Sequence, residues 1–310
     1  MRVLVIGATG FIGLPVSQAL VRTGHIVYGL TRTAEKAKQL QAEEVIPVIG
    51  EYMEPSKWLI PSLIATLDVV INAVGSEVRS KDPFADRRVF QVLTEVAQQS
   101  RPSYAPKLNY ILTSGTLLYG PDHKEIVTDT TSTPVEKLLD FVKPFHEFEQ
   151  EVLHDTILNT LIIRPGLVYG RSGSLTARLF SQAKAGETIK WFRGPSGVVN
   201  AVHTDDLANL YVLATEKAQL VGGNIFAGVN DASESTEDIL RSLVSISGAK
   251  GYEYVDPSNP FEHGVTTWVT IRPYLGRTLL GWRPVKASIV DHLQIYFDAW
   301  KASVETGSSQ

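Results

Sequence analysis

The chain has 310 residues, 44% hydrophobic and 20% charged, the composition of an ordinary globular protein and not of a disordered one. A net charge of −4 without a basic run gives no general attraction to nucleic acid or anionic membrane, and the absence of cysteine excludes disulfides, thiolate nucleophiles and Cys-ligated metals. No apolar run approaches the roughly 20 residues that span a bilayer, and the N-terminus lacks the three-part pattern of a secretory leader, so a cytoplasmic protein is expected.

Arg2–Ile6 (RVLVI) is a continuous aliphatic run, too short for a helix, and reads as a strand buried on both faces. Residues 13–23 read as a helix, with Pro15 tolerated in its first turn and Gly24 as its stop. Ile26–Leu30 is the next strand and Thr33–Glu43 the next helix, started by Thr33. Val45–Ile49 and Asp68–Val74 supply further strands, Pro83–Ser100 a helix, and Leu108–Thr113 a strand. Pro134–Leu153 is expected as one long helix and Thr160–Arg164 as another strand. This alternation predicts an α/β fold, a Rossmann-type doubly wound parallel sheet with a smaller C-terminal substrate lobe. The nucleotide-binding core is expected over 1–170 and 198–228, with Asp205–Thr215 and Gly223–Gly228 returning to it. The smaller lobe is expected over 171–197 and 229–302, and a frayed tail over 303–310.

Gly7-Ala8-Thr9-Gly10-Phe11-Ile12-Gly13 joins the first strand to the first helix. Gly7 permits the tight turn, Gly10 leaves room for a pyrophosphate against the backbone, and Gly13 lets helix and strand pack closely. The helix N-terminus then offers N–H groups and the positive end of its dipole to phosphates. The end of the second strand distinguishes NAD from NADP. It reads Leu30-Thr31-Arg32-Thr33, with no acid before Glu35, so Arg32 is expected to receive a 2′-phosphate, helped by Thr31, Thr33 and Lys36. The predicted cofactor is NADP.

Other stretches extend the pattern: Asn72-Ala73-Val74-Gly75, Ser114-Gly115-Thr116-Leu117-Leu118-Tyr119-Gly120, Arg164-Pro165-Gly166-Leu167-Val168-Tyr169-Gly170, Val202-His203-Thr204-Asp205-Asp206-Leu207-Ala208 and Leu280-Gly281-Trp282-Arg283-Pro284. With GATGFIG at the start, the chain resembles the extended short-chain dehydrogenase/reductase family, which includes NAD-dependent epimerase/dehydratase-like proteins, over nearly its whole length. The resemblance implies that Ala73, Val74, Gly75, Thr113 and Pro165 join Gly7, Thr9, Gly10, Phe11, Ile12, Gly13, Thr31, Arg32 and Lys36 around the nucleotide. It also implies a small-molecule substrate and a homodimer.

Family chemistry uses a Tyr-x-x-x-Lys pair and a Ser or Thr at the end of the fifth strand; no Tyr of this sequence is followed four residues later by Lys. Anchored on Glu149-Gln150, Phe141 stands at the Tyr position, Phe145 at the Lys position and Gly115 at the Ser/Thr position. The chain is thus similar to the atypical subgroups that keep the nucleotide site and lose the tyrosine. Ser114, Thr116 and Tyr169 are the candidates for orienting or protonating a substrate, with Tyr119 a further tyrosine at the sheet's edge. Lys143 and His146 lie roughly 200° and 140° around an ideal helix from Phe141 and are expected to face away from it. His203, Asp205 and Asp206 read better as a helix cap than as a metal or acid–base site, and no motif has convincing metal spacing. Trp191, Phe192, Phe261 and Trp268 could line an apolar pocket or form the smaller lobe's core. Three functions remain open at this point. The first is an NADP(H)-dependent oxidoreductase on an apolar carbonyl, imine or enone with a non-standard proton donor. The others are a non-redox isomerase or cyclase on the same scaffold, and a catalytically silent NADP-sensing regulator.

Overall fold

The computed structural model describes residues 1–75, 82, 84–121, 125–173, 175–192, 197–266 and 269–306, with the backbone alone for Leu175, Phe261 and Val265. Trp268 and the Phe261 side chain therefore lie outside the described residues.

Seven strands make the central sheet: β1 (Arg2–Ile6), β2 (Ile26–Thr31), β3 (Ile46–Ile49), β4 (Val69–Asn72), β5 (Asn109–Thr113), β6 (Asn159–Pro165) and β7 (Ile225–Gly228), in the order β7-β6-β5-β4-β1-β2-β3. The registered pairs run parallel, with Val5 opposite both Gly29 of β2 and Ile71 of β4. Parallel neighbours need helical crossovers, supplied by α1 (Gly13–Arg22), α2 (Ala34–Ala42), α3 (Ala85–Ser100), α4 (Lys143–Leu153) and α5 (Thr204–Glu216). Successive strands step outward from β1 in two directions, β2-β3 on one side and β4-β5 on the other. The crevice at the C-terminal ends of β1 and β4 is thus the topological switch point, where open α/β sheets take their ligands.

Local signals set the helix ends. The Thr33 side chain accepts the Lys36 N–H at 3.2 Å and starts α2, while α1 stops at Thr23 with Gly24 at φ +84°. The segment expected as one helix over 134–153 is not one. Two 3₁₀ turns, Val135–Lys137 and Asp140–Val142, precede α4. Pro144 explains the break: inside a continuous helix its ring would collide with the Asp140 carbonyl, but in the first turn of α4 it is tolerated.

The chain divides into two compact units, one of Met1–Ser114, Glu147–Ile163 and Ala208–Phe226, the other of Gly115–His146, Arg164–Leu207 and Ala227–Gln310. The first buries Leu4, Ile6, Val70, Leu93, Leu112 and Ile162 in one core, each such side chain contributing about 1.5–3 kcal/mol. In the second, α6 (Thr236–Ser247) and α7 (Leu293–Glu305) bury Leu240, Leu243, Leu293 and Phe297 with Phe180 and Ile189. Residues 115–146, placed with the nucleotide core by sequence, belong to this second unit. Val127 pairs with Ile271, and the buried Asp129 carboxylate accepts the N–H groups of Ala227 and Leu275. Helix α7 continues to Glu305, three residues into the segment expected to fray.

Candidate functional site

The glycine turn sits at the switch point, immediately after β1. Gly7 has φ +83°, and a Cβ there would lie 2.8 Å from the Ala73 carbonyl oxygen, so the loop after β4 packs directly on the turn. A Cβ on Gly13 would lie 2.0 Å from the Gly7 oxygen, which no L side chain could accept without moving the backbone. Gly10 differs: its Cβ would meet only the Gly7 oxygen, at 3.2 Å, and otherwise enter open space. The three glycines thus serve a turn, a vacancy and a packing contact. No side chain caps α1, and no acid lies in its first turn, so its positive end is left for an anion. Thr9, Phe11 and Ile12 are half-buried around the turn.

At the end of β2, Thr31 is buried and its hydroxyl has no hydrogen-bond partner. A buried, unpaired hydroxyl costs about 1–3 kcal/mol. Arg32 beside it is exposed and, among the described residues, pairs with no carboxylate; Lys36 is exposed one turn into α2. Beyond β4, Ala73 and Val74 are buried, while Gly75 is exposed with nothing within 4 Å of a Cβ. A helix start without a side-chain cap, a guanidinium that pairs with no carboxylate among the described residues, and the open Gly10 and Gly75 fit a dinucleotide. Thr113 is buried and its hydroxyl bonds to Tyr211 at 2.6 Å, a partner no local pattern indicated. Pro165 ends β6 and is buried.

The three positions matched by register to the family's catalytic residues hold Phe141, Phe145 and Gly115. Gly115 is extended at φ −166° and half-exposed, with open space where a Cβ would stand. Phe141 lies on the 3₁₀ turn before α4, so the angles expected for Lys143 and His146 on a continuous helix do not apply. Phe141 and Phe145 pack with Leu117 and Leu139 around the buried Leu118, Leu138 and Val142. The Phe141 ring also rests on Gly264, where a Cβ would come within 3.0 Å of its tip. Lys143 is held by Asp140 at 2.6 Å. His146 is half-buried, its Nδ1 without a partner. Among the described residues no three His, Cys, Asp or Glu side chains could hold a metal.

Of the candidate proton-handling residues, Ser114 and Thr116 are half-exposed, with no side-chain hydrogen bond among the described residues. Tyr169 is different. It is 1% exposed, its hydroxyl donates to the Ala287 carbonyl at 2.6 Å, and its ring packs edge-on to His203 and Tyr296. Burial pushes the phenol's pKa well above its ordinary value, so it stays protonated. Its place is in the core of the second unit, with its hydroxyl already committed to the Ala287 carbonyl. Tyr119 is likewise buried, with the Arg164 guanidinium 4.6 Å from its ring centroid.

The segment after β6 explains itself structurally. His203 Nδ1 accepts the Asp205 N–H at 3.1 Å, and Asp206 accepts the N–H groups of Val285 and Lys286 at 3.1 and 2.9 Å. Trp282 is fully buried, its indole N–H donating to the Asp206 carbonyl. Trp191 stacks on Phe192 at 4.6 Å between centroids and packs on the second unit's core.

Comparison with known proteins agrees with this geometry. Residues 3–227 match the model of the NAD dependent epimerase/dehydratase family. A ketoreductase of Stigmatella aurantiaca acting on 4-hydroxy-2-methyl-3-oxo-4-farnesyl-3,4-dihydroquinoline-1-oxide is 23% identical over 262 residues, covering 81% of this chain and 74% of its own. An uncharacterized protein of Schizosaccharomyces pombe, C2A9.02, is 25% identical over 306 residues, 94% of this chain and 98% of its own. Among solved structures, the UDP-glucuronic acid 4-epimerase of Bacillus cereus, in complex with UDP-glucuronic acid and NAD, superposes with a TM-score of 0.73 at 22% identity. That match covers 97% of this chain and 99% of the epimerase. No helix among the described residues is long and apolar enough to cross a membrane.

Proposed function

Because the chain belongs to the NAD dependent epimerase/dehydratase family of nicotinamide-dinucleotide enzymes, we propose that it is an NADP(H)-dependent oxidoreductase of the atypical kind, reducing an apolar carbonyl, imine or enone. The observation that carries this reading is the apolar packing at the positions matched to the family's Tyr and Lys, Phe141 and Phe145 with Leu117 and Leu139. These four side chains offer a polar sugar no hydrogen-bonding group. A terpenoid or aromatic ketone gains about 25 cal/mol for each Å² of apolar area it covers there. The ketoreductase relative, whose substrate carries a farnesyl chain, supports the same direction.

When bound, the nicotinamide ring supplies or accepts hydride; the remaining work falls to the chain. Arg32 and Thr31 select the 2′-phosphate, and the uncapped start of α1 holds the pyrophosphate. Phe141, Phe145 and Leu117 exclude water, and alignment of the reactants supplies a large share of the barrier reduction. The Ser114 and Thr116 hydroxyls, two residues apart and with no other hydrogen bond among the described residues, donate to the forming oxygen while accepting from solvent. They relay a proton where the family's tyrosine would supply one.

The test uses NADPH deuterated at the transferable carbon, incubated with the protein and a small-molecule extract, with products read by mass spectrometry. A deuterated product that survives substitution of other enzymes by heat-treated extract supports the proposal and names the substrate. A changed but unlabelled metabolite replaces it with a non-redox reaction. Nucleotide bound with no metabolite altered replaces it with a nucleotide-sensing role.

A further inference from the structure

Four polar side chains from four separate elements of the first unit meet in its buried interior. Asn72, at the end of β4, directs its Nδ2 toward the Tyr52 hydroxyl at 3.0 Å, an Asp86 carboxylate oxygen at 3.1 Å and the Tyr110 hydroxyl at 3.2 Å. The Tyr52 hydroxyl donates to that same Asp86 oxygen. Asn72 is 0% exposed, Tyr110 0%, Asp86 4% and Tyr52 7%. On its other side the Asn72 Oδ1 accepts the N–H of Val74 at 3.3 Å. Val74 lies in the loop that rests on Gly7.

The Asn72 amide has only one workable orientation here. Rotated by 180°, its NH₂ would face the Val74 N–H, donor against donor, and its oxygen would face the Asp86 carboxylate, acceptor against acceptor. Asp86, an acceptor when ionised, and Tyr52, which donates to it, thereby fix which atom Asn72 offers the loop. A buried carboxylate is a costly anchor unless hydrogen-bonded, and a purely structural core position would be filled as well by an apolar residue. An anchor that also sets the direction of one amide has a further use.

We propose that Asp86 and Tyr52 are positioning residues for the dinucleotide: through Asn72 they hold the Ala73–Gly75 loop against the glycine turn in the geometry that receives the nucleotide. The inference deepens the nucleotide reading of the same site and rests on it. Neither residue touches the nucleotide; both act through the Asn72 amide. Disturbing them frees that amide to turn, loosens the Val74 N–H and lets the loop leave Gly7.

The experiment measures NADPH and NADH affinity by fluorescence titration at 15 °C, well below unfolding, for wild type, Asp86→Ala, Asp86→Asn and Tyr52→Phe, with melting temperature recorded for each. Asp86→Asn retains an acceptor oxygen for Asn72 and Tyr52, and Asp86→Ala does not. The expected result is a loss of about tenfold or more for Asp86→Ala and about fivefold for Tyr52→Phe, with Asp86→Asn within about threefold of wild type, tenfold being 1.4 kcal/mol. If all variants lose melting temperature yet the folded protein binds as wild type does, the quartet only stabilises the core and the inference is overturned. Equal losses for Asp86→Asn and Asp86→Ala overturn it too. A wild type that prefers NADH refutes the NADP assignment alone, since the variant series is then read with NADH. A wild type that binds neither nucleotide overturns both.

Discussion

Substituting two glycines of the same turn should separate folding from binding. A Cβ at Gly13 would lie 2.0 Å from the Gly7 carbonyl oxygen and 2.7 Å from its carbon, against backbone that cannot rotate aside. Overpacking of this kind costs about 1–3 kcal/mol when neighbours can yield, and a backbone clash belongs at the upper end. At about 2–4 °C per kcal/mol for domains of 150–250 residues, Gly13→Ala should lower Tm by roughly 6–12 °C. Gly10→Val meets only one atom, at 3.2 Å, and its branches enter the space above the turn. Its Tm should stay within about 2 °C of wild type, while NADPH affinity falls about 100-fold or more, roughly 2.7 kcal/mol. Thermal melts without nucleotide and fluorescence titration with NADPH give the two quantities independently. Wild-type affinity in Gly10→Val would remove the pyrophosphate from this loop. Equal loss of Tm in both variants would mean that Gly10, like Gly13, is there for packing.

Arg32→Ala should weaken NADPH by about 10–100-fold, the worth of charge-assisted bonds to a phosphate, and NADH little; comparable losses for both would end the assignment of Arg32 to the 2′-phosphate. Phe141→Tyr alone should give no rate gain over wild type on aromatic ketones, because no lysine stands four residues on. Gly115→Ser added to Phe141→Tyr and Phe145→Lys should fit without strain, since Gly115 is extended and faces open space, and a large rate gain from the single substitution would contradict this picture. His203 supplies a pH test. Burial holds its pKa below the ordinary imidazole value of 6.5 in the folded state. The unfolded chain therefore takes up the proton first as pH falls, and the stabilisation, complete above 6.5, is lost on descending toward the lower folded value. His203→Gln should flatten that part of the urea midpoint against pH, and an unchanged slope would show that His203 is not the group responsible.

The glycine turn and the start of α2 were legible because their requirements are local. A tight turn and a helix start each need particular residues within a few positions, so GATGFIG and Thr33 speak for themselves. The expectation of one long helix over 134–153 passed over Pro144, which at the second position of α4 is a start signal. Residues 115–146 were misassigned for a different reason. Asp129 joins the second unit through the amides of residues 227 and 275, about a hundred or more positions away, which no periodicity records. Tyr169 looked like a catalyst because it follows a strand, and only its bond to Ala287 shows where its hydroxyl goes. The Tyr52–Asn72–Asp86–Tyr110 cluster is invisible for the same reason: its members are scattered over 58 positions and meet only in the fold.

The start of α1, which no side chain caps, and Arg32, which pairs with no carboxylate among the described residues, have a practical consequence at the bench if the nucleotide sits where proposed. Such cationic groups discriminate poorly among small tetrahedral oxyanions, so inorganic phosphate or sulfate in a purification or assay buffer should compete for them. Affinities measured in phosphate-buffered saline should then understate those in a zwitterionic sulfonate buffer such as HEPES at equal ionic strength. The ratio between the two buffers is itself a titration of these groups.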